Sequence, residues 1–365
     1  MNLCPTIWSH KEANVNLAPV QFEPKGFGSD NHASVHPAVI QSLVAANVDH
    51  AHSYGLDPLT ERVEKKVAEL FETSAKSFFV FNGTAANILA LKACTRSYQT
   101  VLCSDVAHIH VDECAGPEIH GGYKLLPVKS IDGKIPLESL KAQLIRRGDQ
   151  HYSQIKTISL TQPTELGTCY TVEELKAICA WAKSENLYVH VDGSRFANAC
   201  VSLQKSFADI TTHLGVDVVS FGGTKNGLMG AELVVFLNTA LSHDFKYIRK
   251  QLGQLPSKSR FLAAQFDAYL ENNLWKTIAE MSLKSATYFS TELVKHTRLK
   301  PEYPVQSNAA FVKFPKAWIK ELKKERFFYV WDETTFVCRI MFSWDTAETE
   351  IQSFVKKIVQ LEKGN

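Results

Sequence analysis

No run of apolar residues in this chain of 365 approaches the about 18 that a membrane-spanning helix needs. The opening stretch MNLCPTIWSHKEANVNLAP also lacks the unbroken apolar core of a secretory leader, so a cytoplasmic protein is expected, without a membrane partner. A dominant charge is missing as well. Lys and Arg total 40 against 38 Asp and Glu, a net charge of +2, which leaves no field to gather nucleic acid. Cys-x-x-Cys spacing is absent among the eight cysteines, which argues against structural zinc and a disulfide framework. The cysteines are expected to be reduced and mostly buried, and no metal is expected. What is there is 45% hydrophobic and 21% charged, the balance of a soluble metabolic enzyme, in a length that suits a large domain plus a small one.

Strands and helices alternate along the chain. SFFVF, TVLC, KLLPV, TISLT, YVHVD and VVSF read as short strands, separated by helical stretches such as TVEELKAICAWAKSEN. Asp57 and Pro58 cap and open a helix whose Leu59, Val63, Val67, Leu70 and Phe71 recur on one face. Alternation of this kind implies an α/β fold with a parallel or mixed sheet covered on both faces, binding ligands at the carboxyl ends of its strands. The run VVSFGGTKNGLMGAELVVF differs, because its two strands are joined by a short Gly-rich loop with no crossover helix. It predicts an antiparallel hairpin with Lys225 in the loop. From about residue 240 a helical region leads to strand candidates AAFVKF, RFFYVW and VCRIMF and a closing helix. The expected division is an N-terminal segment, 1–25, a large cofactor-binding domain, 26–255, and a small C-terminal α+β domain, 256–365.

Asp192, at the end of the strand YVHVD, and Arg195 precede Lys225 in VDGSRFANA … SFGGTKNG. Those side chains are what pyridoxal phosphate chemistry requires. A lysine must attack the aldehyde as the neutral amine, so it needs positive charge and desolvation nearby. A carboxylate must keep the ring nitrogen protonated, because only then does the ring withdraw electrons from Cα of an amino acid. From 192 to 225 is 33 positions, close to the roughly 30 that a strand, crossover and next strand occupy. Upstream, SFFVFNGTAANILALKAC reads as a strand, a small-residue turn and a helix with Ile88, Leu89 and Leu91 on its apolar face. Gly83 and Thr84 at that helix start are candidates to hold a phosphate. His108, just after TVLC, is placed to stack on the ring face or to be satisfied in a polar loop. Arg339 lies inside the last strand, where a charge facing a core is costly and one facing a cleft meets a carboxylate bidentately; the outer face of the strand is the alternative. Lys250, Lys258 and Arg260 form a basic loop, usually a solvated face.

The runs GFGSDNHASVHPAVIQSLVAAN, YGLDPLTERVEKKVAELF, FNGTAANILAL, SDVAHIHVDECAGPE, LTQPTELGTCYT, HVDGSRFANA and FGGTKNGLMGAE resemble, in order and spacing, the threonine aldolase group of pyridoxal phosphate lyases. The likeness runs from about Gly26 to the final strand and helix. It implies an aspartate-aminotransferase-like fold of type I, with Lys225 as the Schiff-base lysine, Asp192 on the pyridine nitrogen and Arg195 near the phenolate oxygen. It further implies Gly83 and Thr84 at the phosphate, His108 on the ring face, and Ser29 and Arg339 on the substrate carboxylate. Tyr54 in SYGLDP is similar to the family's active-site aromatic that reaches a neighbouring subunit, and Lys258 and Arg260 match its cations at a neighbour's phosphate. A homodimer or homotetramer with shared sites is therefore expected.

One departure stands out. Where many threonine aldolases carry a histidine, this chain has Thr164 in SLTQPTELG. Thr164 cannot act as a base, so that role passes to His108, a water or another group. The TQPTELG wording resembles a low-specificity or phenylserine-type branch. The expected activity is retro-aldol cleavage of a β-hydroxy-α-amino acid to glycine and an aldehyde. A β-eliminating or transaminating relative, and a non-catalytic holder of the cofactor, are the alternatives; a carrier would have no use for the pair Ser29 and Arg339.

Overall fold

A computed structural model of the chain describes residues 20–22 and 25–364; most of the expected N-terminal segment, and Cys4, lie outside these. Seven strands form the large sheet: β1 Lys76–Val80, β2 Gln99–Ser104, β3 Lys124–Val128, β4 Gln154–Thr161, β5 Tyr188–Gly193, β6 Val218–Gly222 and β7 Glu232–Phe236. Their order is β1-β7-β6-β5-β4-β2-β3. β3, β2, β4, β5 and β6 run parallel, and β7 is antiparallel to both of its neighbours. The expected hairpin is present. Pairing of Gly222 with Glu232 closes it, and Lys225 sits in a single 3-10 turn, Thr224–Asn226, between the two strands.

Alternation along the strands assigns the two faces. On β5, Val189 and Val191 join the larger core with Ile158, Leu160, Phe196, Phe221 and Leu233. His190 and Asp192 therefore point the other way, toward the helix Gly83–Cys94. That helix is buried on nearly every side, not only along the expected apolar face, because it packs over the middle strands with Leu89 and Ala90 against Val218, Val234 and Phe236. Asp57 caps the helix Pro58–Leu70 as expected, its carboxylate accepting from Thr60 N at 2.9 Å.

A second sheet, β8 Ala309–Lys313, β9 Tyr329–Asp332 and β10 Val337–Met341, is antiparallel with β10 in the middle. Its core contains Phe289, Val312, Ile340, Phe342 and Phe354, and also Phe27 from near the start of the described chain. The core of the large sheet runs past the expected boundary at 255/256, taking in Leu262, Phe266, Tyr269 and Trp275. One helix, Leu274–His296, serves both cores: Ala279 belongs to the first and Ala286 to the second. Among the described cysteines all are free, and only Cys114 is exposed.

Candidate active site

The carboxyl ends of β5 and β6 meet the start of the helix Gly83–Cys94 around a cavity of about 360 Å³. Asn82, Gly83, Thr84, Asn87, His108, Ser194 and Lys225 line it. Asn82 caps the helix, its side chain accepting from Ala85 N at 2.9 Å, and leaves the neighbouring N–H groups facing the cavity as a seat for an anion. The helix start lies close to the end of β5, for a Cβ on Gly83 would lie 3.8 Å from Ser194 Oγ. Closer still, a Cβ on Gly222 would lie 2.5 Å from Ser194 O and 2.7 Å from its Cα. Glycine there lets the Lys225 loop press against the end of β5.

Asp192 is buried and fully engaged. Its Oδ2 accepts from Asn87 Nδ2 at 2.8 Å, and its Oδ1 from Ser194 N and Oγ at 3.1 and 2.8 Å. Burial opposes ionisation, but the charges of His108 and Lys225 and the Ser194 hydrogen bond hold the carboxyl below its ordinary range. One layer beneath, His190 bridges Ser159 and Ser220 at 2.9 Å on each side, tying β4, β5 and β6 together. Burial pushes His190 down to about 4, so it is a neutral strut. Lys225 is half-buried at the cavity wall; desolvation and then the guanidinium of Arg195 pull its ammonium below the usual lysine range, against Asp30, Asp192 and Glu232. A lysine so placed has a larger share of neutral amine.

Arg195, expected near a phenolate oxygen, is paired with Asp30 through two hydrogen bonds, and Asn308 Nδ2 donates to the same Asp30 carboxylate at 3.0 Å. Arg339 comes from β10 in the small sheet. Its Nη2 donates to Gly28 O at 3.2 Å, its buried Nε has no partner among the described residues, and its guanidinium lies 5.1 Å from the Trp331 ring centre. Burial and the repulsion of Arg195 lower it to about 10. A guanidinium short of acceptors is a place for an added carboxylate. Ser29 does not join Lys225 in the cavity: its hydroxyl accepts from Asn31 N at 3.2 Å, and the residue lines a separate cavity beside Phe27 and Phe327.

Thr164, expected at the substrate, is turned away from it. Its hydroxyl is buried 2.8 Å from Thr168 Oγ1, and it fills the space where a Cβ on Gly133 would lie 2.7 Å from that oxygen. The neighbouring Glu165 turns instead toward His108. Its Oε1 accepts from His108 N and Thr161 Oγ1, both at 2.8 Å, while its buried Oε2 has no partner. Burial, with Asp192 adding to it, pushes Glu165 up to about 7. Glu165, Asp30, Asn87, Glu113 and Glu232 were not singled out from sequence. A charged residue inside the small and apolar run TQPTELGTC was the available signal for the first.

Tyr54, Lys258 and Arg260 stand off the cavity. Tyr54 is 48% exposed, with a left-handed φ of +62° and its amide on Ser257 O at 3.1 Å. Lys258 is exposed, and Arg260 donates to Val48 O and Asp49 O.

The family model described as beta-eliminating lyase matches residues 26–316. A low specificity L-threonine aldolase of Pseudomonas aeruginosa is 39% identical over 91% of this chain and 96% of its own length. The low specificity L-threonine aldolase of Saccharomyces cerevisiae is 27% identical over 79% of this chain and 74% of its own. Among solved structures, the threonine aldolase of Leishmania major superposes with a TM-score of 0.86 at 28% identity, over 93% of this chain and 99% of that one.

Proposed function

Because this chain belongs to the beta-eliminating lyase family, alongside the low-specificity threonine aldolases, we propose that it is a pyridoxal phosphate-dependent carbon–carbon lyase that cleaves β-hydroxy-α-amino acids to glycine and an aldehyde. The single observation that carries this is Lys225, with its lowered pKa, lining one cavity with Asn87 and Ser194, the two residues whose side chains hold buried Asp192. The residues fit the cofactor. Asp192 has hydrogen-bond donors but no cation bonded to it, which suits a protonated ring nitrogen, and the cavity ends on a helix N-terminus, which suits the phosphate.

When bound, pyridoxal phosphate supplies the aldehyde that takes the amino group and a sink for the electrons left on Cα. Lys225, reacting as a neutral amine, would be the residue that holds that aldehyde. The N–H groups of Gly83 and Thr84 would hold the phosphate. Arg339 would take the substrate carboxylate and so orient the substrate about Cα, an alignment effect on which bond breaks. His108 takes the β-hydroxyl proton as Cα–Cβ breaks and the aldehyde leaves. With Thr164 tucked under Gly133, no imidazole grips the hydroxyl from that loop, and the side pocket reads shape more than one hydrogen bond. Threonine and allo-threonine should both be cleaved, and β-phenylserine at least as well. A panel of kcat/KM values for the three with glycine detection tests this; a strong preference for one diastereomer rejects it.

A second copy of the chain completes the site in this reading. Phe81 and Met229 line the cavity yet are 44% and 56% exposed, and Val44, Val48 and Leu56 lie bare near Tyr54. Apolar side chains exposed around a polar cleft suit a symmetric partner, which would bring Tyr54, Lys258 and Arg260 to the site. A cytoplasmic setting accords with the absence, among the described residues, of any helix able to cross a membrane.

A further inference from the structure

The His108 imidazole is fastened from one side. Its Nδ1 lies 2.8 Å from Glu113 Oε1. The Glu113 side chain has no exposed surface, while that of His108 is 37% exposed. The same Glu113 oxygen accepts from Asn87 Nδ2 at 3.1 Å, and that nitrogen also donates to Asp192 Oδ2 at 2.8 Å. Imidazole, Glu113, amide and Asp192 thus form one hydrogen-bonded chain whose inner three members are buried. Glu113 Oε2 is out of solvent and without a hydrogen-bond partner among the described residues. A buried carboxylate needs donors, and among the described residues His108 Nδ1 and Asn87 Nδ2 are the side-chain groups hydrogen-bonded to this one.

Other groups act on the ring as well. Asp192 reaches it from β5 and Lys225 from the β6–β7 loop, and the Glu165 carboxyl holds the His108 main-chain N–H from the loop after β4. The hydrogen bond to Glu113 is the strongest influence, and it holds His108 above the ordinary histidine range against burial.

We propose that Glu113 is a positioning residue that keeps the Nδ1 proton of His108 on its own side, so that Nε2 is the atom facing the cleft and exchanging a proton with the substrate's β-oxygen. This rests on the retro-aldol reading above. Asn87 joins the arrangement to Asp192, so the orientation of the imidazole and of the ring-nitrogen carboxylate is set by one unit. In the cleavage step the β-hydroxyl proton passes to Nε2, the O–H electrons form the aldehyde C=O, and the Cα–Cβ pair moves to Cα; the aldehyde is the leaving group. A carboxylate on Nδ1 makes Nε2 a stronger base.

The test is a ¹H–¹⁵N titration of histidine side chains in the cofactor-free protein, with His108 assigned by its loss in His108→Phe. In Glu113→Gln the His108 midpoint should fall by about one pH unit, tenfold in proton affinity. In Glu113→Ala the Nδ1–H tautomer should lose its majority, while Glu113→Asp keeps part of it. In the holoenzyme, the acidic limb of kcat/KM should move down with the Gln midpoint. An unmoved midpoint in Glu113→Gln, or an unchanged tautomer in Glu113→Ala, overturns the proposal. Glycine not formed by the wild type would reject the retro-aldol reading and leave the nitrogen titration to decide the role of Glu113.

Discussion

The guanidinium of Arg195 closes on the carboxylate of Asp30 through two bonds, Nε to Oδ2 at 2.6 Å and Nη2 to Oδ1 at 2.9 Å, across 165 positions of chain. It fixes the segment before the first helix onto the end of β5, and with Asn308 it joins the small domain to both. Removing one partner of a buried ion pair strands the other charge. Asp30→Ala should therefore cost on the order of 3 kcal/mol in chemical unfolding, and adding Arg195→Ala should cost little more. Additive losses in the double variant would mean the two side chains do not act as a pair.

Lys225→Ala should fold and lose turnover, by a factor of 10³ or more on the order expected for a removed nucleophile. Borohydride reduction of wild type with pyridoxal phosphate, followed by peptide mapping, should place the added mass on the peptide with Lys225. Mass on another lysine would reassign the role. Asp192→Asn should still retain cofactor while losing most activity, because an amide cannot balance a protonated ring nitrogen.

Glu165 and Glu232 are both pushed up to about 7 by burial. A raised carboxyl favours the folded state while protonated, so its contribution is whole below the unfolded value near 4.5 and is lost as pH rises through 7. Glu165→Gln and Glu232→Gln should thus leave cofactor-free stability nearly unchanged at pH 4.5 and raise it relative to wild type at pH 8, by about 1–3 kcal/mol each. Urea unfolding at the two pH values reads this. A difference between variant and wild type that does not change with pH would show that neither carboxyl is held protonated.

Assembly is tested by light scattering alongside activity. The protein should be dimeric or larger at assay concentration, and Tyr54→Ala should lower activity by about tenfold or more while Tyr54 remains far from the cavity of its own chain. An active monomer would remove the second copy from the site.

The legible parts of this site were those that local pattern carries. An apolar strand ending in Asp192, a Gly-rich loop holding Lys225 and a small-residue turn before a helix each announce themselves within a few residues. The partners were not legible, because Asp30 with Arg195, or Asn87 with Glu113 and Asp192, meet only through strand order and helix packing. The one-residue difference between Thr164 and Glu165 has the same origin: in a turn after a strand, adjacent side chains face opposite ways, and spacing alone does not say which looks into the cleft. The helix Leu274–His296 is apolar toward two cores in succession, which a change of composition cannot mark.

The most direct test of the central claim is proton NMR of the products formed from threonine by the holoenzyme in D₂O. Cleavage of Cα–Cβ predicts acetaldehyde and glycine in equal amounts, the glycine carrying one deuterium at Cα from solvent. Formation of 2-oxobutanoate and ammonia, or exchange at Cα with threonine left intact, would show that the bond set perpendicular to the ring is not Cα–Cβ and would contradict the account.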